Sequence, residues 1–247
     1  MENYTLVTAR QGERYRQLVD DMPRAEGPEF LEHDTALVQH WSLLREAFPE
    51  FQFCLLDEGT GMAAGLGRCM PLAFEGAWSE LPEGGLDWVL EKGFADRAAG
   101  RAPNLVSALY IEIADTHRSQ HLSGRMLASM RQIARSHDFP HLIAPVRPSL
   151  KSRYPLIEIE TYLEWKTPEG LPFDPWLRVH VRAGGRVLQP CHRAMTVTGR
   201  REQWAEWTGM AFPGEGDYVI PYGLVPVCVR GEVGEYVEPG VWVLHEG

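Results

Sequence analysis

Apolar residues repeat along the chain with two different periods. VSALYIEI (106–113) is an apolar run that predicts a strand, whereas LSGRMLASMRQIARS (122–136) places its large apolar residues near one helical face. The two periods predict strands at 4–8, 51–57, 62–72, 106–113, 141–146 and 194–198, and helices at 10–22, 35–47, 86–98, 122–136, 175–183 and 202–207.

Short polar residues, proline and glycine mark the ends of predicted helices. Asp34 or Thr35 suits the cap of the second helix. Asp174 suits the cap of the helix in WLRVHVRA, with Pro175 at the first helical position, where its missing N–H is not needed. Gly184 follows that helix, as expected for a helix end.

The tail after Gly216 is rich in β-branched and aromatic residues but contains several prolines. Because proline cannot donate a hydrogen bond to a neighbouring strand, we predict edge strands or irregular pairing there. The order of elements predicts a mixed α/β fold around one sheet. We predict a domain over residues 1–199 and a β-rich C-terminal extension over residues 200–247, packed on the same domain.

Composition narrows the function classes. The 247 residues carry a formal net charge of −10, which opposes nonspecific binding to nucleic acid or to a membrane surface. No apolar run approaches the ~20 residues of a membrane span, and no signal peptide is evident. The four cysteines, which are scattered and match no metal motif, favour reduced thiols in a cytoplasmic protein. They are Cys54, Cys69, Cys191 and Cys228.

One polar turn joins a buried strand to a helix in IEIADTHRSQHLSGRML, from Ile111 to Leu127. The first backbone N–H groups of a helix lack intrahelical acceptors and favour a bound anion. Arg118 adds a charge-assisted donor at this turn. The turn therefore suits a phosphate or pyrophosphate, although many such junctions carry an arginine without a ligand.

This stretch resembles the acyl-CoA-binding motif of the GNAT superfamily of N-acyltransferases. Ile111 and Ile113 occupy its strand positions and Arg118 its Arg/Gln position, while His121 and Ser123 stand where two glycines are usual. The resemblance covers about residues 4–198 in the order of elements and implies a GNAT-like fold. It also implies donor contacts from Ile111, Ile113, Arg118, Ser119, Gln120, His121, Leu122, Ser123, Gly124 and Arg125.

Acyl transfer from a thioester to an amine requires a neutral amine, donors for the oxyanion and a proton for the leaving thiolate. The resemblance implies that strand N–H groups serve the oxyanion. It also implies that a tyrosine four residues before a glycine serves the thiolate. His180 stands four residues before Gly184 here and is predicted as the acid; its alternative role is packing or capping.

Two residues of the motif strand are candidates for the general base. Glu112 lies between isoleucines, an unusual position for an unpaired carboxylate, and its alternative role is a salt bridge. Ser107 occupies the place where some GNAT members carry their base, and its alternative role is packing. Strand alternation predicts that Glu112 faces away from Ser107 and Ile111.

A basic cluster follows the next predicted strand in VRPSLKSRYP. Arg147, Lys151 and Arg153 suit a phosphate of the donor or a carboxylate of the acceptor, and Tyr154 adds a hydroxyl. A solvated loop is the alternative. The aromatic C-terminal part is predicted to form core, with a pocket wall or a homodimer contact as alternatives.

The sequence thus predicts a cytoplasmic N-acyltransferase of the GNAT type. It would move an acetyl or other short acyl group from acyl-CoA to an amine of a small molecule by direct attack. Three alternatives stay open. They are a carrier-protein phosphopantetheine thioester as donor, a GNAT-like decarboxylase, and a noncatalytic sensor of acyl-CoA.

Overall fold

The computed structural model describes residues 4–24, 27–118 and 120–246, and over these ranges nine strands form a single mixed sheet. The strands are β1 Tyr4–Thr8, β2 Gln52–Asp57, β3 Met62–Leu72, β4 Leu105–Ile113, β5 His141–Val146, β6 Arg186–Arg200, β7 Gly216–Tyr218, β8 Val227–Arg230 and β9 Val233–Glu246. The helices are α1 Glu13–Asp20, α2 Thr35–His40, α3 Leu44–Ala47, α4 Gly85–Ala98, α5 Leu122–Ser136, α6 Ile159–Glu164, α7 Pro175–Arg182 and α8 Arg201–Thr208.

Most predicted elements are confirmed, with one helix divided in two. The helix expected over 35–47 is broken by a short 3-10 turn at Trp41–Leu43 between α2 and α3. Asp34 is its cap, since its side chain accepts a hydrogen bond from the N–H of Leu37 at 2.9 Å. The strand expected over 194–198 is longer and forms β6.

The centre of the sheet contains its one parallel pair among the described strands. The sheet order is β1-β2-β3-β4-β5-β9-β8-β7, with β6 paired to the other edge of β9. Strands β4 and β5 pair only at Val106↔Leu142 and Ser107↔Ile143. Beyond Ser107, β4 continues to Ile113 without a partner in β5. A gap therefore opens between the carboxyl ends of these two strands.

Helices cover both faces of the sheet beside this gap. A Cβ on Gly65 would lie 3.1 Å from Sδ of Met126 in α5, so the pair Gly65↔Ile113 faces α5. Gly93 of α4 packs against Met70 on the other face. We call these the α5 face and the α4 face. The motif strand β4 thus separates two helical layers.

A β-bulge at Leu109 corrects the predicted alternation of β4. Arg68 pairs with Tyr110 but the next residue of β3, Cys69, pairs with Ala108, so Leu109 has no partner in β3. An extra residue shifts the alternation by one position. Ser107, which pairs with Met70, and Glu112 therefore both point to the α4 face. The expectation that they face opposite sides was wrong.

Strand β9 shows the irregular pairing predicted for the tail, although it is not an edge strand; the edge position belongs to β7. It is a long inner strand that pairs with β6 along one edge and with β5 and then β8 along the other. Pro239 lies where the register with β6 shifts, between the pairs Cys191↔Gly240 and Met195↔Glu238, so its missing N–H interrupts no regular ladder. Residues 233–246 therefore lie in the middle of the sheet.

The C-terminal aromatic residues are mostly core. Trp204, Tyr236 and Trp242 are fully buried, whereas Tyr222 stays exposed. Trp204 and Tyr236 pack with Phe30, which joins the C-terminal part to the segment before α2. Within the described ranges no helix is long and apolar enough to cross a membrane.

Candidate active site

The polar turn before α5 has the backbone geometry of an anion cradle. His121 caps α5 in the left-handed region, with φ 55° and ψ 28°, and makes no side-chain capping bond. The first N–H groups of α5, from Leu122 to Gly124, have no intrahelical acceptor and sit at the positive end of a 15-residue helix. A side chain thus occupies the left-handed position that usually requires glycine.

A pocket of about 310 Å³ opens at this turn, and we call it the cradle. Its lining residues are Ile113, His117, Arg118, His121, Leu122 and Ser123. Arg118 is exposed and pairs with Asp115 at 2.8 Å, a surface contact that an anionic ligand can replace. The cradle lies at the carboxyl end of β4, where Ile113 is one of its lining residues.

His117 is a cradle residue that the sequence pattern did not single out as a donor contact. It is buried, its Nε2 lies 3.2 Å from Oδ2 of Asp57, and its Nδ1 lies 2.9 Å from the Thr116 hydroxyl. The hydrogen bond from His117, with others from its own turn, lowers the pKa of Asp57. The signal available in the sequence was a histidine directly before Arg118 in the predicted phosphate turn, whereas its carboxylate partner lies 60 residues away along the chain.

Other predicted donor contacts have different partners. Gln120 accepts a hydrogen bond from the Tyr4 hydroxyl at 2.8 Å, and the guanidinium of Arg125 stacks on the Tyr4 ring at 4.7 Å. Both residues therefore fasten the turn to β1. Ser119 lies outside the described residues.

The α4 face of β4 carries Glu112 and Tyr110. Glu112 accepts a hydrogen bond from Tyr110, and its Oε2 lies 3.9 Å from Nε of Arg24. Burial raises the pKa of Glu112, and Arg24 and Tyr110 oppose that rise. Burial, followed by the Glu112 charge, raises the pKa of Tyr110 to about 12. A carboxyl with a raised pKa is suited to accept a proton from an amine.

Ser107 is completely buried and level with the last paired residues of β5. Its hydroxyl donates to the carbonyl of Ala108 at 3.2 Å. Although it shares a face with Glu112, it lies below the point where β4 and β5 separate. This position favours the packing role.

The structure does not bring His180 to the cradle or to the gap. Its Nδ1 lies 3.0 Å from Nε2 of His245, and His245 pairs with Leu142 where β4 and β5 are still bonded. Burial, and secondly His245, lowers the pKa of His180 to about 3. The imidazole is therefore neutral at neutral pH, and this placement favours packing over acid catalysis.

The predicted basic cluster does not form one open site. Arg147 pairs with the buried carboxylate of Glu238. Lys151 is completely buried and donates to the carbonyls of Tyr154 and Leu224 at 2.9 and 2.8 Å. The Tyr154 ring packs with Trp165 and other aromatic rings, and Arg153 is exposed. Arg147 and Lys151 therefore fasten loops together after β5.

No group of three histidine, cysteine, aspartate or glutamate side chains in the described part of the chain is arranged to hold a metal ion. The site chemistry available is thus that of backbone amides, a carboxyl, a phenol and arginines.

The chain is similar to one curated relative and to several solved structures, although no family model matches it. An arginine N-acetyltransferase, avaD, from Aspergillus versicolor is 31% identical over 273 aligned residues, covering 98% of this chain and 93% of the relative.

Two solved structures share the fold at lower sequence identity. The loading GNATL domain of CurA from Lyngbya majuscula has a TM-score of 0.58 and 17% identity, covering 99% of this chain and 98% of that one. The GphF GNAT-like decarboxylase in complex with isobutyryl-CoA has a TM-score of 0.54 and 15% identity over the same shares of the two chains. These two likenesses concern the fold alone. With the curated relative, they show that the chain belongs to the GNAT superfamily and is an N-acyltransferase enzyme.

Proposed function

We propose that the enzyme transfers an acetyl group from acetyl-CoA to the α-amine of arginine or of a closely similar basic amino acid. The observation that carries the proposal is the unpaired carboxyl end of β4 beside β5, which has the cradle on its α5 face and Glu112 on its α4 face. The 31% identity to an arginine N-acetyltransferase supports the choice of acceptor. The net charge of −10 also favours encounter with a cationic acceptor.

The donor's pyrophosphate would lie against the free amides of Leu122, Ser123 and Gly124, with Arg118 as a charged partner. Its pantetheine arm would then run into the gap along the unpaired half of β4. The bulge residue Leu109 has no partner in the β3 or the β5 register. Its backbone is available to hydrogen-bond the thioester carbonyl as negative charge develops there.

Glu112 is the proposed general base. It takes a proton from the acceptor's ammonium, directly or through water, and the neutral amine then attacks the thioester carbon. The attacking nitrogen then loses its second proton to solvent, the bond to sulfur breaks as the tetrahedral intermediate collapses, and the thiolate takes up a proton. Tyr110, hydrogen-bonded to Glu112, is the nearest phenol on β4 for that last step.

The buried cysteines agree with a cytoplasmic location, which is part of the proposal. Cys54, Cys69 and Cys191 are free thiols inside the molecule. Burial raises the pKa of Cys54 to about 12, so this thiol is protonated and unreactive.

A turnover assay tests the proposal. Purified protein is incubated with acetyl-CoA and arginine, ornithine, lysine or agmatine, while free thiol and product mass are followed. The expected result is monoacetylated arginine with release of CoA. Transfer from acetyl-phosphopantetheine but not from acetyl-CoA would instead favour the carrier-protein donor, and tight CoA binding without any transfer would contradict the proposal.

A further inference from the structure

Arg68 is a largely buried cation that forms no ion pair with any carboxylate of the described residues. Its Nε is buried and makes no hydrogen bond, and within the described ranges no carboxylate pairs with it. Its guanidinium instead lies over the Trp41 ring, 4.8 Å from the centroid. Trp41 in turn packs edge-on against Tyr110, at 5.7 Å between ring centroids. The three side chains form one contiguous group on the α4 face of β3 and β4.

The surroundings of Arg68 oppose its charge. Burial lowers the pKa of Arg68 most, the charges of Arg24 and Arg45 lower it further, and Tyr15 and Tyr110 oppose that fall only in part. Removing a cation from water without a partner is unfavourable, and a cation–π contact recovers only part of that loss. Glu112, the carboxylate of this face, contacts Arg24 instead. An anion that reaches this face would therefore meet a guanidinium that no carboxylate of the described residues already occupies.

Arg68 also lies beside the reaction centre. It pairs across the sheet with Tyr110, the residue that follows the bulge at Leu109. Glu112 is two residues further along the same face of β4, or about 7 Å away at the rise of a strand. One small molecule could thus place an anionic group on Arg68 and an amine between Leu109 and Glu112, with only a few bonds between the two groups.

We infer that Arg68 binds the carboxylate of the acceptor, so that the substrate class is a free α-amino acid and not a simple amine. A guanidinium binds a carboxylate through two parallel hydrogen bonds, which would hold the neighbouring α-amine beside the thioester. The donor's phosphates do not compete, since the cradle lies at the start of α5 on the other side of β4. The inference rests on the proposed function and assigns its acceptor subsite.

Paired substrates and paired variants test this assignment. Arginine and argininamide share the α-amine and the guanidinium, but only arginine carries the carboxylate. The wild-type enzyme is expected to prefer arginine in kcat/KM, and Arg68→Met to lose ~10- to 100-fold on arginine, mostly through KM, with little change on argininamide. The intrinsic reactivities of the two amines cancel when the arginine-to-argininamide ratio of kcat/KM in Arg68→Met is divided by the same ratio in the wild type.

Arg97→Met is the matched control, because Arg97 also lies over an aromatic ring, 5.3 Å from the centroid of Phe48. It should leave the preference for arginine unchanged. Arg68→Lys keeps the charge but loses the bidentate geometry of the guanidinium. Its preference for arginine in kcat/KM should therefore lie between that of the wild type and that of Arg68→Met. Titration with acetyl-CoA confirms that each variant is folded, because the donor binds elsewhere.

The outcomes separate the two proposals. Equal use of arginine and argininamide by the wild type, or an equal loss on both substrates in Arg68→Met, overturns the carboxylate assignment while acetyl transfer stands. Absence of transfer to every amine overturns the proposed function itself.

Discussion

Arg147 and Glu238 form an ion pair, with the carboxylate buried and the guanidinium partly exposed, that ties the loop after β5 to the middle of β9. Nε of Arg147 donates to Oε1 at 2.7 Å and a terminal nitrogen donates to Oε2 at 3.0 Å, while the side chain of Glu238 is only 2% exposed. Tyr236 donates to the same carboxylate. The arginine that the sequence offered for substrate binding therefore has an internal partner.

Arg147→Met should destabilise the protein by about 3–5 kcal/mol, because it leaves the Glu238 carboxylate buried without a cation. Urea unfolding at neutral pH measures the change. Arg10→Met is the control, since the Arg10–Glu50 pair, at 2.8 Å, has an exposed arginine and a partly exposed glutamate and should contribute less than about 1 kcal/mol. Similar small losses in both variants would show that the Arg147–Glu238 pair is not structural.

Asp87 should make the free energy of unfolding decrease as pH rises. Burial, and then the charge of Asp34, raises the pKa of Asp87 to about 9 in the folded state. The unfolded value is about 3.9, so unfolding releases a proton between these limits and stability falls as pH rises from about 4 to about 9. Asp87→Asn should remove that slope and raise stability at neutral pH, because the amide can donate to Asp34 without ionising.

The free energy of unfolding, measured across this pH range, checks the prediction. Glu206→Gln is the control, because Glu206 is an exposed helical carboxylate in α8 whose charge does not raise the pKa of Asp87. A slope that survives in Asp87→Asn would show that another group carries the titration.

His121 should matter through its backbone conformation. It and Asp138, at φ 55° and 62°, are left-handed residues near opposite ends of α5. His121→Gly should keep donor affinity within about threefold, because glycine holds the same backbone freely. His121→Val should weaken acetyl-CoA binding at least about tenfold, because a β-branched residue disfavours this region.

Calorimetric titration with acetyl-CoA measures these affinities. Asp138→Val is the matched control, since it should lower stability through the same strain yet leave the donor Kd unchanged. Normal donor binding by His121→Val would exclude the turn amides as the cradle.

His180 should prove dispensable for chemistry. Its pKa, lowered to about 3, and its contact with His245 describe a neutral packed side chain. His180→Gln should lose stability but keep kcat within about threefold at temperatures where it is folded. A fall of about 100-fold in kcat with donor binding intact would restore His180 as the acid.

Local patterns predicted the parts of the fold that local chemistry determines. β4, α5 and β5 follow from an apolar strand, an amphipathic helix and a second strand, and Asp34 and Asp174 are caps as their residue types suggested. The cradle was predictable for the same reason, because a helix start and Arg118 lie within one short stretch.

Long-range pairing was not predictable in this way. The bulge at Leu109 depends on how β3 and β4 register, and β4 alone carries no sign of it. Pro239 suggested an edge, yet a register shift in a distant strand accommodates it. The partners of Arg147 and His180, Glu238 and His245, lie far along the chain, and the missing partner of Arg68 is visible only in three dimensions.

The central claim is that Glu112 accepts the proton of the acceptor's amine while acetyl-CoA is bound at the cradle. The most direct measurement is single-turnover release of CoA thiol from acetyl-CoA and arginine by wild type and Glu112→Gln, as a function of pH. Since the pKa of Glu112 is raised, the wild-type rate should fall on the acid side above the usual glutamate range. Glu112→Gln should bind acetyl-CoA normally, lose about 10²- to 10⁴-fold in rate and lose this acid limb. An unchanged rate and pH profile in Glu112→Gln would contradict the account.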